Sequence, residues 1–209
     1  MPPKKHKAVC RLCRREGLKL FLKGSRCEGA KCAVSKRDSA PGQHGFRRRP
    51  RSEYALRMRE KQRAKRYYGM REAQFMSYFS MASKEHGDTG QNLFILFERR
   101  FDNVVYRAGL AMSRALARQL VVHGHMAVNG KRIDRPSYLL KPNDAVTPWG
   151  AEKDKTLLLG FLDQTKDRQV PEWIEVQREP LEVRMTALPG VDEATAGFQP
   201  HLIVELCSR

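Results

Sequence analysis

SRALARQLVVHGHMAVNGKRID, residues 113–134, changes its period halfway along. Ser113 is a helix cap, and Ala115, Leu116, Leu120 and Val121 give residues 114–123 an apolar side. Gly124 is the expected stop. Alternation then takes over: 126–128, the Asn129-Gly130 pair and 131–133 spell a two-residue β-hairpin, whose turn favours this pair. Arg114 and Arg118 stand four apart on one helix face. His123 and His125 flank the helix exit, and Lys131 and Arg132 follow the turn. The stretch predicts a helix and a hairpin that together present one cationic surface, with the Asn129-Gly130 backbone close to whatever binds there.

Working outward, the upstream sequence reads as helices. A basic one spans 52–68, with Ser52 as its cap and little apolar burial of its own. Phe75, Phe79 and Ala82 mark a second over 71–85, and Leu93, Leu96, Phe97 and Phe101 a third opening at Thr89. Asp102 is read as the cap of a fourth, ended by Gly109. Downstream, short strands are expected at 138–140, 145–147, 173–176, 181–186 and 202–206, with a helix over 155–164. The class is α+β: a helical domain with a cysteine loop, plus a small helix–hairpin module. The expected divisions are 1–45, a metal-binding basic segment; 46–98, helical; 99–165, the module; and 166–209, strands packing back on the first domain.

Cys10, Cys13, Cys27 and Cys32 form C-x2-C-x13-C-x4-C. Two close pairs joined by a short loop bring four thiolates around one ion. Basic neighbours favour the thiolate form. A closed four-sulfur site is structural, so the ion would supply folding energy to a segment with few apolar residues. Zinc is the expected cofactor, with an iron–sulfur cluster as the alternative. His44 lies beyond the completed set, and Cys207 reads as a buried or edge thiol.

Charge points to the partner. Net charge is +17 over 209 residues. Residues 1–66 hold 22 Lys and Arg against 5 Asp and Glu, whereas 67–209 hold 18 of each. Such an excess argues for a polyanion. The segment PGQHGFRRRPRS at 41–52 cannot form a continuous helix but can lie extended along phosphates. Candidate RNA contacts are therefore Arg11, Arg14, Arg15, Lys23, Arg26, His44, Arg47, Arg48, Arg49 and Arg51. Arg59, Lys61, Arg63, Lys65 and Arg66 join them from the basic helix, and Arg114, Arg118, His123, His125, Asn129, Gly130, Lys131 and Arg132 from the module. No apolar run approaches the ~20 residues of a membrane span. MPPKKHKAV at 1–9 lacks the apolar block of a secretory signal, so a reducing cytosol is expected.

These residues also carry a resemblance. The 113–134 stretch resembles the RNA-binding module named after small-subunit ribosomal protein number four. RFDNVVYRAGLAMSRA at 100–115, CRLCRREGLKLFLKG at 10–24, PGQHG at 41–45, REKQRAKRYYG at 59–69 and the closing HLIVELCSR are similar to the uS4 family itself, in its four-cysteine, metal-binding branch. The resemblance implies a structural constituent of the small ribosomal subunit and a primary binder of the 5′ domain of small-subunit rRNA. It implies nucleation of body assembly, influence on translational accuracy with ribosomal protein number five, and a place beside protein number three where mRNA enters. It puts the four cysteines on the metal. Residues 150–200 match it only loosely.

Two other functions fit the residues less well. An RNA-modifying enzyme carrying the same module would need a catalytic domain, and no glycine-rich cofactor loop, P-loop or HExxH pattern is present. A zinc-dependent DNA regulator would need a base-reading helix after the cysteine cluster, and none follows.

Overall fold

The computed structural model describes residues 8–37, 39–45, 52–195 and 197–208. The cysteines sit on short pieces: α1 (Cys10–Glu16), a 3-10 turn at Gly24–Cys27, and α2 (Ala33–Lys36). Longer helices follow. Ser52 Oγ accepts the Ala55 N–H at 3.3 Å and caps α3 (Glu53–Tyr67). In α4 (Glu72–Ala82), Phe75, Tyr78, Phe79 and Ala82 share the buried stripe. The Asp88 carboxylate accepts the Gln91 N–H at 2.8 Å and caps α5 (Thr89–Glu98).

The module then begins with α6 (Phe101–Arg107) and α7 (Arg114–Val122). Ser113 Oγ accepts the Leu116 N–H at 3.2 Å, as its cap role predicts. Gly124 turns the chain at φ +75° into β1 (Met126–Val128) and β2 (Lys131–Arg132). Asn129 and Gly130 have φ of +50° and +73°, the two positive angles a type I′ turn requires. Then come β3 (Ala145–Pro148), α8 (Glu152–Gln164), β4 (Ile174–Arg178), β5 (Leu181–Met185), α9 (Val191–Thr195) and α10 (Pro200–Cys207). The strands form one antiparallel sheet in the order β2-β1-β3-β5-β4.

Two hydrophobic cores result. One lies among α3, α4, α5, α9 and α10, around Phe75, Phe94, Phe97 and Ile203. The other lies between one face of the sheet and α6, α7 and α8, around Phe101, Val121, Met126, Val146, Leu158 and Val183.

Several expectations need correction. Residues 202–206 are helical, not a strand: Pro200 occupies the first helical turn, and Ile203, Val204 and Cys207 then face the first core. Residues 138–140 contribute only the isolated bridge between Arg100 and Leu139. Asp102 is not a cap; Arg100 holds that position, and the Asp102 carboxylate instead takes the Arg100 guanidinium at 2.7 Å. The strands of 166–209 do not return to the first core, because β5 pairs with β3 and extends the module sheet. Helices α9 and α10 make the return. No helix among the described residues is long and apolar enough to cross a membrane.

Candidate nucleic-acid interface

The N-terminal segment folds around Cys13. Cys13, Cys27 and Cys32 are buried, and Cys10 is partly so. Burial pushes the Cys13 thiol up, opposed by the Leu20 N–H; the nearby Cys27, Cys10 and Cys32 sulfurs raise it further. Backbone N–H groups aim at other sulfurs too: Lys23 donates to Cys27 Sγ at 3.4 Å, and Ser35 and Val34 donate to Cys32. Those bonds, led by that of Ser35, draw the Cys32 thiol below its ordinary value. This donor chemistry suits a thiolate-binding ion. Among the described residues, however, no group of three or more His, Cys, Asp or Glu side chains is arranged to hold a metal.

Around this knot Arg11, Arg15, Lys23, Arg26 and His44 are exposed. So are Lys19, Lys31, Lys36 and Arg37, which lie outside the candidate set. Arg14 points inward: it donates to the Ser39 carbonyl at 3.0 Å and the Ala40 carbonyl at 3.3 Å, fastening that loop to α1. Arg47, Arg48, Arg49 and Arg51 lie outside the described residues.

The α3 candidates are engaged within the protein. Arg59 pairs with Glu16 at 3.2 Å, and Arg66 pairs with the same nearly buried carboxylate, tying α3 to α1. Lys61 and Lys65 grip Glu72 at 2.6 and 2.8 Å, and their hydrogen bonds hold that carboxyl below its ordinary value. Arg63 pairs with Glu60 and lies 4.9 Å from the Phe198 ring centre. A basic helix with few apolar side chains is thus steadied by carboxylates of α1 and α4 and by packing against α10.

The module splits its candidates similarly. Arg114 is buried between the rings of Tyr67 and Tyr106, at 3.7 and 4.2 Å, and donates to Asn103 Oδ1 at 2.9 Å. It is an internal cation, so the shared face expected of Arg114 and Arg118 is not a shared solvent face. Arg118 keeps 43 % of its side chain exposed while touching Asp102 at 3.3 Å. Asn129 works through its side chain: it donates to Asp144 at 2.8 Å and accepts the Ala145 N–H at 2.9 Å, locking the hairpin to β3. His125 meets Asp154 at 3.2 Å, and His123 is exposed. Lys131 and Gly130 project at the turn, and Arg132 is exposed while donating to the His123 carbonyl at 3.4 Å. Exposed Arg135 and Lys141 extend this cationic edge. Their signal in the sequence was only charge near a hairpin.

A buried polar hub joins the two cores, and no residue pattern announces it. Glu98 accepts from Tyr68 Oη at 2.7 Å, Asn103 Nδ2 at 2.7 Å, and Arg107 Nε and Nη2 at 2.9 and 2.8 Å. Burial pushes the Glu98 carboxyl up, but the Arg107 charge and hydrogen bonds outweigh it and hold the group below its ordinary value.

Residues 4–98 match the model of the ribosomal protein S4/S9 N-terminal domain, and residues 99–146 match that of the S4 domain. Among curated relatives, the small ribosomal subunit protein uS4 of Pelotomaculum thermopropionicum is 52% identical over 202 residues, 97% of each chain. The protein of that name from Acetivibrio thermocellus is 50% identical over 202 residues, again 97% of each. That from Dictyoglomus thermophilum is 52% identical over 200 residues, 96% of each.

Proposed function

The chain belongs to the uS4 family of small-ribosomal-subunit proteins, and on that premise we propose that it is a structural constituent of the small subunit, binding the 5′ domain of its rRNA early and nucleating assembly of the body. It works on the ribosome, in the cytoplasm, and as a family member it is a structural protein rather than an enzyme. The observation that supports the reading most is how the cations sort. Those on α3 and at the start of α7 are consumed by internal carboxylates and rings. Those of the cysteine segment and the hairpin edge, Arg11, Arg15, Lys23, Arg26, Lys131 and Arg132, are left in water.

The mechanism is charge neutralisation on a fixed shape. Each phosphate neutralised by an exposed Lys or Arg releases counterions. The rigid hairpin and the cysteine-bearing segment set where those charges sit, so a folded RNA junction with matching phosphates and 2′-hydroxyls is preferred. Contacts with ribosomal proteins number five and three, and with mRNA where it enters, belong to the same reading. So does an influence on translational accuracy.

The test is binding of the full chain to a 5′-domain rRNA fragment and to bulk tRNA across a salt series. Affinity for the fragment should exceed that for tRNA at moderate salt, with log affinity falling linearly with log salt. Equal affinity for both RNAs would sink the reading.

Cys10, Cys13, Cys27 and Cys32 would hold the metal, proposed as zinc with an iron–sulfur cluster as the alternative. When bound, the ion supplies folding energy to the N-terminal segment. Elemental analysis distinguishes the two. Replacing Cys10 and Cys13 by Ser should open residues 1–45 to protease and weaken RNA binding; an unchanged digestion pattern and affinity would count against the metal.

A further inference from the structure

The module sheet has two unlike faces. Side chains alternate along each strand, and Met126, Val128, Val146, Val183 and Met185 point into the core. The cross-strand partners Ala127 with Arg132 and Ala127 with Thr147 therefore share the opposite face, where Ala127 is buried, Thr147 half-buried and Arg132 exposed. Pairing of Met126 with Pro148 carries the register one step further and sets His125 opposite Trp149 on that same face. The Trp149 N–H donates to the His125 carbonyl at 2.8 Å, which fixes the pair. Trp149 is 45 % exposed.

A single exposed aromatic side chain is ordinary on a protein surface. Trp149 differs in its setting. Its backbone is held just past the end of β3, which fixes the point from which the ring leaves the sheet. His125 stands beside it, oriented by Asp154 at 3.2 Å, and the His123 ring lies 6.2 Å from that of His125. Arg132 reaches back across Gly124 to the His123 carbonyl, so a guanidinium borders the same surface. Acidic groups border this face too, each with a cation of its own: Asp154 pairs with His125, and Glu182 on β5, the strand next to β3, holds Arg184 at 2.7 Å, while Glu175 lies one strand farther out on β4.

We propose that Trp149, with His125 beside it, is a stacking platform for an unpaired base of the bound RNA, continuous with the cationic hairpin edge at Arg132. Aromatic side chains on an open sheet face take splayed bases in this way, while neighbouring cations hold the backbone. The platform rests on the rRNA-binding reading and adds a base contact to a surface otherwise built of charge.

The protein carries its own probe. It has two tryptophans, and the other, Trp173, is 4 % exposed. Acrylamide quenching of the full chain should therefore report mainly Trp149. Adding the 5′-domain fragment should protect or statically quench this accessible component, and Trp149→Phe should remove the response while keeping affinity within about threefold. Trp149→Ala should weaken binding about tenfold, within the ~1–3 kcal/mol that one stacked base contributes, with unchanged thermal unfolding. Trp149 equally quenchable with and without the fragment, or Trp149→Ala binding like the wild type, would overturn the platform. Protection seen only in assembled subunits would overturn it in favour of a protein contact. Failure of the wild-type chain to prefer the fragment over tRNA would instead bring down the rRNA-binding reading, and the platform with it.

Discussion

Arg114 and Lys131 are both cations of one short stretch, and the structure gives them opposite tasks. Arg114 lies between two tyrosine rings, where its planar guanidinium stacks and donates sideways to Asn103. Its Nη2 is buried without a hydrogen-bond partner, so stacking carries much of its stabilisation. Lys131 stands in water at the hairpin turn. Replacing Arg114 by Ala should cost about 2 kcal/mol of stability in denaturant unfolding, and Lys should not rescue it because an ammonium lacks the planar fork. Replacing Lys131 by Ala should leave stability unchanged, weaken RNA binding regardless of sequence, and reduce the salt slope by about 1. Reversed outcomes, with Arg114 governing the salt slope and Lys131 the unfolding midpoint, would refute this division.

Among the elements, α10 shows how a short apolar run is decided. HLIVEL reads equally as a buried strand or as one face of a helix, since periodicity barely separates them over six residues. Its register in the helix buries Ile203 completely against α3 and α5, and sets Glu205 on Arg57 at 2.7 Å. Ile203→Ala should cost about 2–5 kcal/mol. His201, exposed two residues earlier, should tolerate Ala with less than about 0.5 kcal/mol. Comparable losses at both, measured by urea unfolding, would contradict the packing. Helix α3 teaches the same lesson from the other side. Its thin apolar side calls for RNA or a neighbour to steady it, and neighbours do so: Glu16 of α1, Glu72 of α4 and the α10 contact hold it, with Glu60 of its own.

At the scale of the whole molecule, the two cores meet at Glu98. Its carboxylate serves Tyr68 of the first core, Asn103 and Arg107 of the module. Because the folded-state carboxyl sits below its ordinary value of 4.5, its contribution is fully present above pH 4.5. It is lost as pH falls from there through the lower folded value. Glu98→Gln should destabilise the protein by about 3 kcal/mol at neutral pH, the low end for a broken buried pair because Arg107 remains partly in water. The gap between wild type and variant should shrink as pH drops below 4.5. Calorimetry should show one shared transition in the wild type and a broadened or split one in the variant. A gap independent of pH, or a variant as cooperative as the wild type, would show that the hub does not couple the cores.

Local physics made much of this protein legible from its residues. Ser52 and Ser113 cap helices because a side-chain oxygen there satisfies an orphan N–H, whatever surrounds it. Asn129-Gly130 forces the hairpin because few other pairs accept two positive φ angles. The charge excess of the first 66 residues marks a polyanion partner without any coordinates. Only the tertiary structure decided which cations stay exposed and which are engaged within the protein. A carboxylate as distant in sequence as Glu16 from Arg59 and Arg66, or a ring as distant as Tyr67 from Arg114, becomes a neighbour through packing alone. The same packing sent β4 and β5 to the module sheet and α10 to the first core, since an apolar run specifies that it must be buried but not against which face.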